Sequence, residues 1–316
     1  MKIIKFGGTA FQTPKLVNNV LDIIKKEEKP LIVVVSAIGR KGFPFATDTL
    51  IESIKEQHLS NKEMDRLLSM GEIYSSLFLS NYLNKNEVKA YSLSYLENGI
   101  EVDEKGNLIS LNDEYFTKYF KENDVLVVPG FIASDQNKEV VTMGRGTSDF
   151  TAVLLGELFK EKKVILYKEV DGIYPTLFVN LLRIKPYTNL SYKEVLSLVD
   201  IGYSPVNKKA IEEAQRENIE IEIKNFIEND SKTLISNIES KNKVIGFNVD
   251  NNLIKIATFY KEEIKKELFD LLKLYHIYIK EDLEGENFFS FKINTSQILL
   301  FRQIMLEKYF LDMKKI

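Results

Sequence analysis

Short apolar runs that alternate with segments of helical periodicity constrain the fold of this chain more than any other feature. The runs have strand length and are apolar at successive positions: Leu31–Val35, Val125–Val128 and Val164–Tyr167. Strands that are apolar on both faces suit a parallel sheet covered by helices on each side. Helical spacing predicts amphipathic helices over residues 14 to 27, 191 to 199 and 208 to 217, and Ile219–Ile223 alternates like a strand. The pattern predicts an α/β fold, a three-layer αβα sandwich with a mostly parallel sheet.

The pattern changes after about residue 243. The predicted elements there are a strand, a long helix, two short strands and a helix: Leu253–Phe259, Glu262–His276, Ile277–Lys280, Phe288–Ile293 and Gln297–Phe310. This β-α-β-β-α order begins a ferredoxin-like unit. With the turn-like Asn229-Asp230-Ser231 before it, the sequence predicts a domain over 1–240 and a small α+β domain over 241–316.

The composition excludes several kinds of chemistry. The 316 residues include no cysteine and two histidines, so thiolate sites are excluded and a histidine base is not expected. Lysine and arginine total 43 against 46 acidic residues, which argues against a broad nucleic-acid surface but permits a local phosphate site. No apolar run reaches about 18 residues and Met1 leads straight into a strand pattern, so we expect a cytoplasmic protein without a membrane span.

Five polar, glycine-containing stretches follow strands or begin helices, where open α/β sheets bind ligands. They are Lys5–Thr9, Ser36–Arg40 with Phe45–Leu50, Met70–Glu72, Thr142–Asp149 and Tyr167–Tyr174. In the first, the bare Gly7-Gly8 turn lets amides approach an anion and Lys5 adds a positive charge. The spacing of a Walker A loop is absent.

Each stretch also has a purely structural interpretation. Lys5–Thr9, Gly144–Gly146 and Asp171-Gly172 could be a strand-ending turn, a hairpin turn and an ordinary turn, respectively. Ser36 could simply end a strand, and Thr47, Asp48 and Asp149 could be helix caps. Glu72 could be a solvated charge on a helix. Singly, these interpretations are favoured. All five stretches together, in this order, favour one ligand site.

In this order, the motifs resemble those of the aspartate kinases of the amino-acid kinase superfamily over residues 1 to about 240. The combination of Lys-Phe-Gly-Gly-Thr with Gly-Arg-Gly-Thr-Ser-Asp is typical of aspartate kinases. Uridylate, carbamate, glutamate and acetylglutamate kinases share the fold but not this combination. The C-terminal unit is similar to an ACT domain. The resemblance implies phosphoryl transfer from ATP to the β-carboxylate of L-aspartate, which gives 4-phospho-L-aspartate and begins lysine, threonine, methionine and diaminopimelate biosynthesis.

The resemblance also implies roles on the substrate side of the site. Arg145 would hold the α-carboxylate of aspartate, Glu72 would receive its ammonium group, and Thr47 would hydrogen-bond to it. Ser36 and Ser148 would line the same side. The substrate carboxylate is already ionised at pH 7, so no enzyme base is needed to generate the nucleophile.

On the phosphate side, the resemblance implies that Lys5 stabilises the transferring group and that Asp149 organises it. The nucleotide is expected to contact Lys5, Gly7, Gly8, Thr9, Tyr167, Lys168, Glu169, Asp171, Gly172 and Tyr174. Mg²⁺ would be held mainly by the nucleotide phosphates, with no dedicated protein ligands. A homodimer is expected, with no nucleic-acid or membrane partner.

The chain departs from the family on the nucleotide side. It has Lys168-Glu169 where the family usually has Thr-Asp, Pro175–Asn180 replaces an arginine-containing stretch, and Ser204 stands where the family has a nucleotide-contacting lysine. Lys168, Lys208 and Lys209 are the candidate replacements. The last ~70 residues fit one ACT unit where the family usually has two. Two alternatives stay open: a silent regulatory subunit that binds aspartate or nucleotide, and a kinase for another small carboxylate.

Overall fold

The computed structural model describes residues 1–56, 58–177, 184–203, 205–227 and 232–310. They fall into two compact units, one formed by residues 1–171 and 209–232, and the other by 172–208 together with the chain from 233 on. The interpretations placed on Ser204, on Asn229-Asp230-Ser231 and on the end of Pro175–Asn180 lie outside the described residues.

Strands and helices alternate along most of the chain. The strands are β1 (Lys2–Phe6), β2 (Leu31–Val35), β3 (Ala90–Ser92), β4 (Ile100–Val102), β5 (Leu108–Leu111), β6 (Val125–Pro129), β7 (Ile132–Ser134), β8 (Val140–Thr142), β9 (Lys163–Lys168), β10 (Asn189–Ser191), β11 (Glu220–Asn225), β12 (Lys232–Ser236), β13 (Gly246–Asp250), β14 (Leu253–Ala257), β15 (Lys280–Glu284) and β16 (Phe288–Lys292). The helices are α1 (Pro14–Lys26), α2 (Thr47–Ser53), α3 (Asn61–Lys85), α4 (Glu114–Tyr119), α5 (Ser148–Leu158), α6 (Tyr192–Asp200), α7 (Lys208–Glu217), α8 (Lys261–Leu274) and α9 (Ile298–Met305), which leads into a π-helical turn at Leu306–Phe310.

A parallel sheet organises the first unit, with the strand order β11-β9-β1-β2-β6-β3. Alternate residues of each strand face opposite sides. In β1, Ile4 and Phe6 join a core cluster with residues of α1 and α3, whereas the side chain of Lys5 reaches α5. Helices therefore cover both faces of the sheet, and the predicted αβα layering is confirmed.

A small second sheet, β5-β4-β7-β8, also belongs to the first unit and was not predicted. Its strands have three or four residues each, which is too short for a period-2 pattern to stand out in the sequence. It carries the chain from β6 toward the loop that precedes α5, and that loop contains Arg145.

The second unit contains the parallel pair β10 and β12 and a four-stranded antiparallel sheet of order β13-β14-β16-β15, with α8 and α9. Phenylalanines of this sheet and of α9 share one core, including Phe247, Phe291 and Phe301. The predicted α+β fold of the C-terminal region is confirmed, whereas its bounds of 241–316 stay a prediction. The predicted strand at Ile277–Lys280 is wrong, because pairing begins only at Lys280, and β13 was missed.

No helix among the described residues has both the length and the apolar character needed to cross a bilayer.

Candidate active site

A cleft of about 250 Å³ opens in the first unit, where β1, β2 and β6 end. It brings together six residues named from the sequence: Gly8, Ser36, Thr47, Glu72, Arg145 and Ser148. Five further residues line the cleft without having been assigned a role from the sequence: Ala37, Gly39, Asp48, Phe131 and Gly146. The first three and Gly146 lie inside the named stretches, whereas Phe131 lies outside them and was missed. The volume lies below the usual range for drug-sized ligands and suits a molecule of amino-acid size.

Glycines let the walls of this cleft approach one another closely. A Cβ on Gly8 would lie 1.8 Å from the Ala37 carbonyl oxygen, and one on Gly71 would lie 2.5 Å from the Phe45 carbonyl oxygen. Gly71 therefore allows α3 to pack against the loop after β2, which brings Glu72 to the cleft. Steric crowding thus explains why glycine occupies position 8 of the Gly-Gly turn and position 71 of the Met-Gly-Glu motif.

The start of α5 forms another wall. The prediction that Asp149 caps this helix is wrong: the N-cap residue is Thr147, whose side chain makes no capping bond, and Asp149 lies inside the first turn. The possible hairpin turn at Gly144–Gly146 is instead a loop between β8 and α5. The helix N-terminus beside Ser148 favours negative charge in the cleft.

Asp149 is bonded to two lysines at once. The Lys5 ammonium donates to Oδ1 and the Lys168 ammonium donates to Oδ2, each at 2.8 Å. The side chains of Lys5 and Asp149 are 8 and 5% exposed, whereas that of Lys168 is 21% exposed. The three groups form a mostly buried cluster, and Lys168 lies closest to solvent.

Burial and charge oppose each other in this cluster. Burial lowers the pKa of Lys5 from its ordinary value, although the charge of Asp149 partly restores it. Burial alone would raise the pKa of Asp149, but the ammonium groups of Lys168 and Lys5 hold it well below its ordinary value. Asp149 is therefore a permanent carboxylate that keeps both ammonium groups in place.

Glu72 lies on α3 with its carboxyl group in the cleft and is 3% exposed. Its Oε1 accepts a hydrogen bond of 3.2 Å from the Ala37 amide, while its buried Oε2 has no partner among the described residues. Burial raises its pKa to about 8, against the smaller opposing effects of that hydrogen bond and of the positive charge of Lys5. Glu72 is mostly protonated at neutral pH, and a cation placed against Oε2 would favour the carboxylate.

Arg145 and Asp48 lie across the mouth of the cleft, where the Arg145 guanidinium donates to the Asp48 carboxylate. Both side chains are more than half exposed, so this ion pair is weak and can exchange partners. Asp48 follows Thr47 in the first turn of α2, and Thr47 itself makes no capping bond from the N-cap position, which Ala46 occupies.

The residues named for nucleotide contact fall in both units. In the first unit, the amide of Gly7 donates to the Tyr167 carbonyl at 3.4 Å, and the carboxylate of Glu169 pairs with Arg40. The Tyr167 ring packs in the core, stacked on Phe6 with centroids 4.8 Å apart.

The remaining named residues are described in their own units. Thr9 belongs to the short 3-10 helix Gly8–Phe11, and Asp171 is the last residue of the first segment of the first unit. In the second unit, Gly172 has a φ of 152° and the amide of Tyr174 donates to the Tyr203 hydroxyl at 3.4 Å.

Lys209, a candidate replacement for the family lysine, already has a structural partner. Its ammonium donates to the Met143 carbonyl at 3.0 Å, directly before the loop that contains Arg145. Lys209 therefore stabilises the loop that contains Arg145, whereas Lys168, another candidate replacement, donates a hydrogen bond to Asp149.

The sequence matches the amino acid kinase family over residues 1–225. It is 32% identical to aspartokinase 1 of Bacillus subtilis (strain 168) over 267 residues, which cover 80% of this chain and 65% of that protein. It is 30% identical to the aspartokinase of Helicobacter pylori (strain ATCC 700392 / 26695) over 291 residues, which cover 86% of this chain and 71% of that protein. The chain spans about two thirds of the length of such relatives, and 64% of the aspartokinase of Bacillus sp. (strain MGA3).

The fold is similar to that of E. coli aspartokinase III solved in complex with aspartate and ADP. The TM-score is 0.65 at 19% identity, and the match covers 93% of this chain and 79% of that one. This likeness agrees with the predicted fold class.

Proposed function

The chain belongs to the amino acid kinase family, and we propose that within it the chain is an aspartate kinase. In this proposal, it transfers the γ-phosphoryl group of ATP to the β-carboxylate of L-aspartate. One observation carries the proposal: a single cleft of amino-acid size is lined by Arg145 and by Glu72, whose Oε2 is buried without a partner among the described residues. A zwitterionic amino acid needs one cation and one anion at fixed positions, and these side chains supply the pair.

The substrate is proposed to bind with its ammonium group on Glu72 and its α-carboxylate on Arg145. The guanidinium fork matches a carboxylate in two parallel hydrogen bonds, and it would leave Asp48 to make them. Thr47, Ser36 and Ser148 would then orient the side chain of the substrate. Its β-carboxylate would point toward Lys5, which lies near enough to Glu72 for the two groups to interact electrostatically.

The phosphates are proposed to lie along Gly7, Gly8 and Thr9, beside Lys5. The bond between the γ-phosphorus and its bridging oxygen breaks, and the electron pair stays on ADP. A β-carboxylate oxygen of aspartate forms the new bond to phosphorus, and no proton is transferred. The work of the protein is alignment of two anions and stabilisation of the charge that develops.

The donor set near the cleft suits Mg²⁺ that is carried by the nucleotide. Both oxygens of Asp149 accept from lysines, Asp48 faces Arg145, and Glu72 is buried and assigned to the ammonium group of the substrate. In the described part of the chain, the carboxylates that cluster as a possible cation site are Glu157, Glu213 and Glu217, and Arg216 is bonded to all three. Mg²⁺ would neutralise phosphate charge, held by the phosphates themselves.

The same proposal assigns the catalytic domain to residues 1–240 and a single ACT-like unit to 241–316. A homodimer through that unit is supported by the large apolar side chains it exposes, among them Tyr278 at 83% and Leu283 at 71%. We also assign the protein to the cytoplasm and to the start of the lysine, threonine and methionine branches.

Release of ADP tests the activity. Purified protein with Mg-ATP is supplied separately with L-aspartate, L-glutamate, N-acetyl-L-glutamate, carbamate and UMP. The proposal expects turnover with L-aspartate at least tenfold above every other acceptor. Turnover with another acceptor instead would contradict the assigned substrate. Binding of aspartate or Mg-ATP without turnover would support the silent regulatory alternative.

A further inference from the structure

We propose that Lys168 is a second catalytic lysine, which binds the transferring phosphoryl group together with Lys5. The inference rests on the proposed function, because it concerns the phosphate side of the proposed site. The inference is based on one cluster, in which the Asp149 carboxylate accepts a hydrogen bond of 2.8 Å from the ammonium group of each lysine.

The strand pairing places Lys168 at the proposed phosphate turn. β1 and β9 are parallel neighbours in which Phe6 lies opposite Tyr167. Lys168, the last residue of β9, therefore lies beside Gly7, the first residue after β1. The hydrogen bond from the Gly7 amide to the Tyr167 carbonyl ties the two chain segments together at that point. Because parallel strands end at the same edge of a sheet, both lysines reach one site from neighbouring strands.

The charges explain why two lysines are needed. Lys5 and Asp149 alone form a neutral buried pair, which has little net attraction for a triphosphate. Lys168 gives the cluster a net charge of about +1, and the low dielectric of a buried site strengthens its effect on an anion. The adjacent acid does not cancel this charge, since the Glu169 carboxylate is bonded to Arg40.

The side chains of the two lysines differ in solvent exposure, and we assign them different roles accordingly. The Lys168 side chain is 21% exposed and that of Lys5 is 8% exposed, so Lys168 is the cation that an incoming nucleotide meets first. We assign to Lys168 both binding of the phosphates and stabilisation of the γ-phosphoryl oxygens as their bond to ADP breaks. Asp149 is a positioning residue that aims both ammonium groups and does not touch the nucleotide.

Substitution of Lys168 by methionine tests this role, because methionine keeps an unbranched side chain and removes the charge. In Lys168→Met, we expect the affinity for Mg-ATP to fall about tenfold or more, with the affinity for adenosine unchanged. The kcat for aspartate phosphorylation should fall by about a hundredfold or more, and Lys168→Arg should recover part of both losses. The matched control is Lys163→Met on the exposed opposite end of β9, which should behave as wild type.

Labelling of the unaltered protein gives a second readout that does not depend on a variant folding. Acetic anhydride modifies accessible lysines, and mass spectrometry measures the rate at each one. Mg-ATP should slow labelling of Lys168 at least about fivefold, adenosine should not, and Lys163 should react equally in both cases.

Two results would overturn the inference. One is a folded Lys168→Met protein whose Mg-ATP affinity and kcat stay within about threefold of wild type. The other is labelling of Lys168 that Mg-ATP does not change. If the wild-type protein phosphorylates no acceptor, the proposed function fails, and the binding and labelling data still decide the role of Lys168 in phosphate binding.

Discussion

Aspartate binding should release a proton from Glu72, and this coupling should dominate the pH dependence of affinity. The free protein keeps this carboxyl group buried with a pKa of about 8, because burial penalises its charge. An ammonium group seated against its unpartnered Oε2 requires the carboxylate form. At lower pH, the proton must therefore be removed before the substrate can bind.

The size of this pH effect on aspartate affinity follows from the pKa of Glu72, which is about 8. At pH 7, about nine-tenths of the molecules carry the proton, so binding should release about 0.9 proton. Below pH 8, each pH unit costs about 1.4 kcal/mol, or a factor of ten in affinity. The dissociation constant for aspartate should accordingly fall about fiftyfold from pH 6 to pH 8 and then level off.

Isothermal titration calorimetry measures both quantities. Aspartate is titrated at pH 7 in buffers of different ionisation enthalpy, which gives the proton count, and then from pH 6 to 8.5 for the affinity. Glu72→Gln serves as the control, since it keeps the shape and cannot ionise. Its weaker binding should show no proton release and little pH dependence over this range.

The same group should affect folding without substrate. Because the pKa of Glu72 is raised in the folded state, folding favours its protonated form. The contribution of Glu72 to the free energy of unfolding is therefore complete below pH 4.5 and is lost as pH rises through about 8. Wild type should therefore lose up to about 4 kcal/mol relative to Glu72→Gln over that window. Aspartate affinity that stays constant from pH 6 to 8, with no proton released, would show that Glu72 does not bind the ammonium group as a carboxylate.

Further substitutions test other parts of the site. Lys5→Met, like Lys5→Ala, should abolish turnover, a loss of at least about a thousandfold in kcat, while calorimetry still detects aspartate binding; substantial residual activity would refute its role. Arg145→Ala should raise the aspartate KM about a hundredfold with a smaller change in the KM for ATP, and equal changes in both would contradict the assignment. Asp48→Asn removes the carboxylate that competes for Arg145 and should lower the aspartate KM by up to about fivefold; an increase would argue against competition. Gly71→Ala should lower the free energy of unfolding by about 1–3 kcal/mol in denaturant titrations, because its Cβ would lie 2.5 Å from the Phe45 carbonyl oxygen, and an unchanged midpoint would contradict that clash.

The sequence predicted the elements whose pattern is set by burial. The apolar run of β2 is buried at every position, and α1 buries Val17, Val20, Leu21 and Ile24 at the predicted spacing. The short strands β4, β5, β7 and β8 carry too few residues for such a pattern. The predicted strand at Ile277–Lys280 was apolar enough, but its pairing partner in β16 matches Lys280–Glu284 instead.

The five residues named for the substrate side all line the cleft, but the motifs did not predict which residues of the site pair with one another. Asp149 lies 144 residues from Lys5 and 19 from Lys168, and nothing local in the sequence indicates that one carboxylate binds both. The pairing depends on β1 and β9 becoming neighbours, which is a property of the whole sheet. The same holds for Arg145 and Asp48, which are 97 residues apart.

Identification of the phosphorylated product is the decisive test of whether the protein is an aspartate kinase. The protein is incubated with Mg-ATP and L-aspartate, the mixture is reduced with borohydride, and the amino acids are separated by mass-resolved chromatography. An acyl phosphate on the β-carboxylate yields homoserine, so we expect homoserine in proportion to the ADP released and none from Lys5→Met. ADP release with no homoserine, or with the isomer expected from the α-carboxylate, would contradict that assignment.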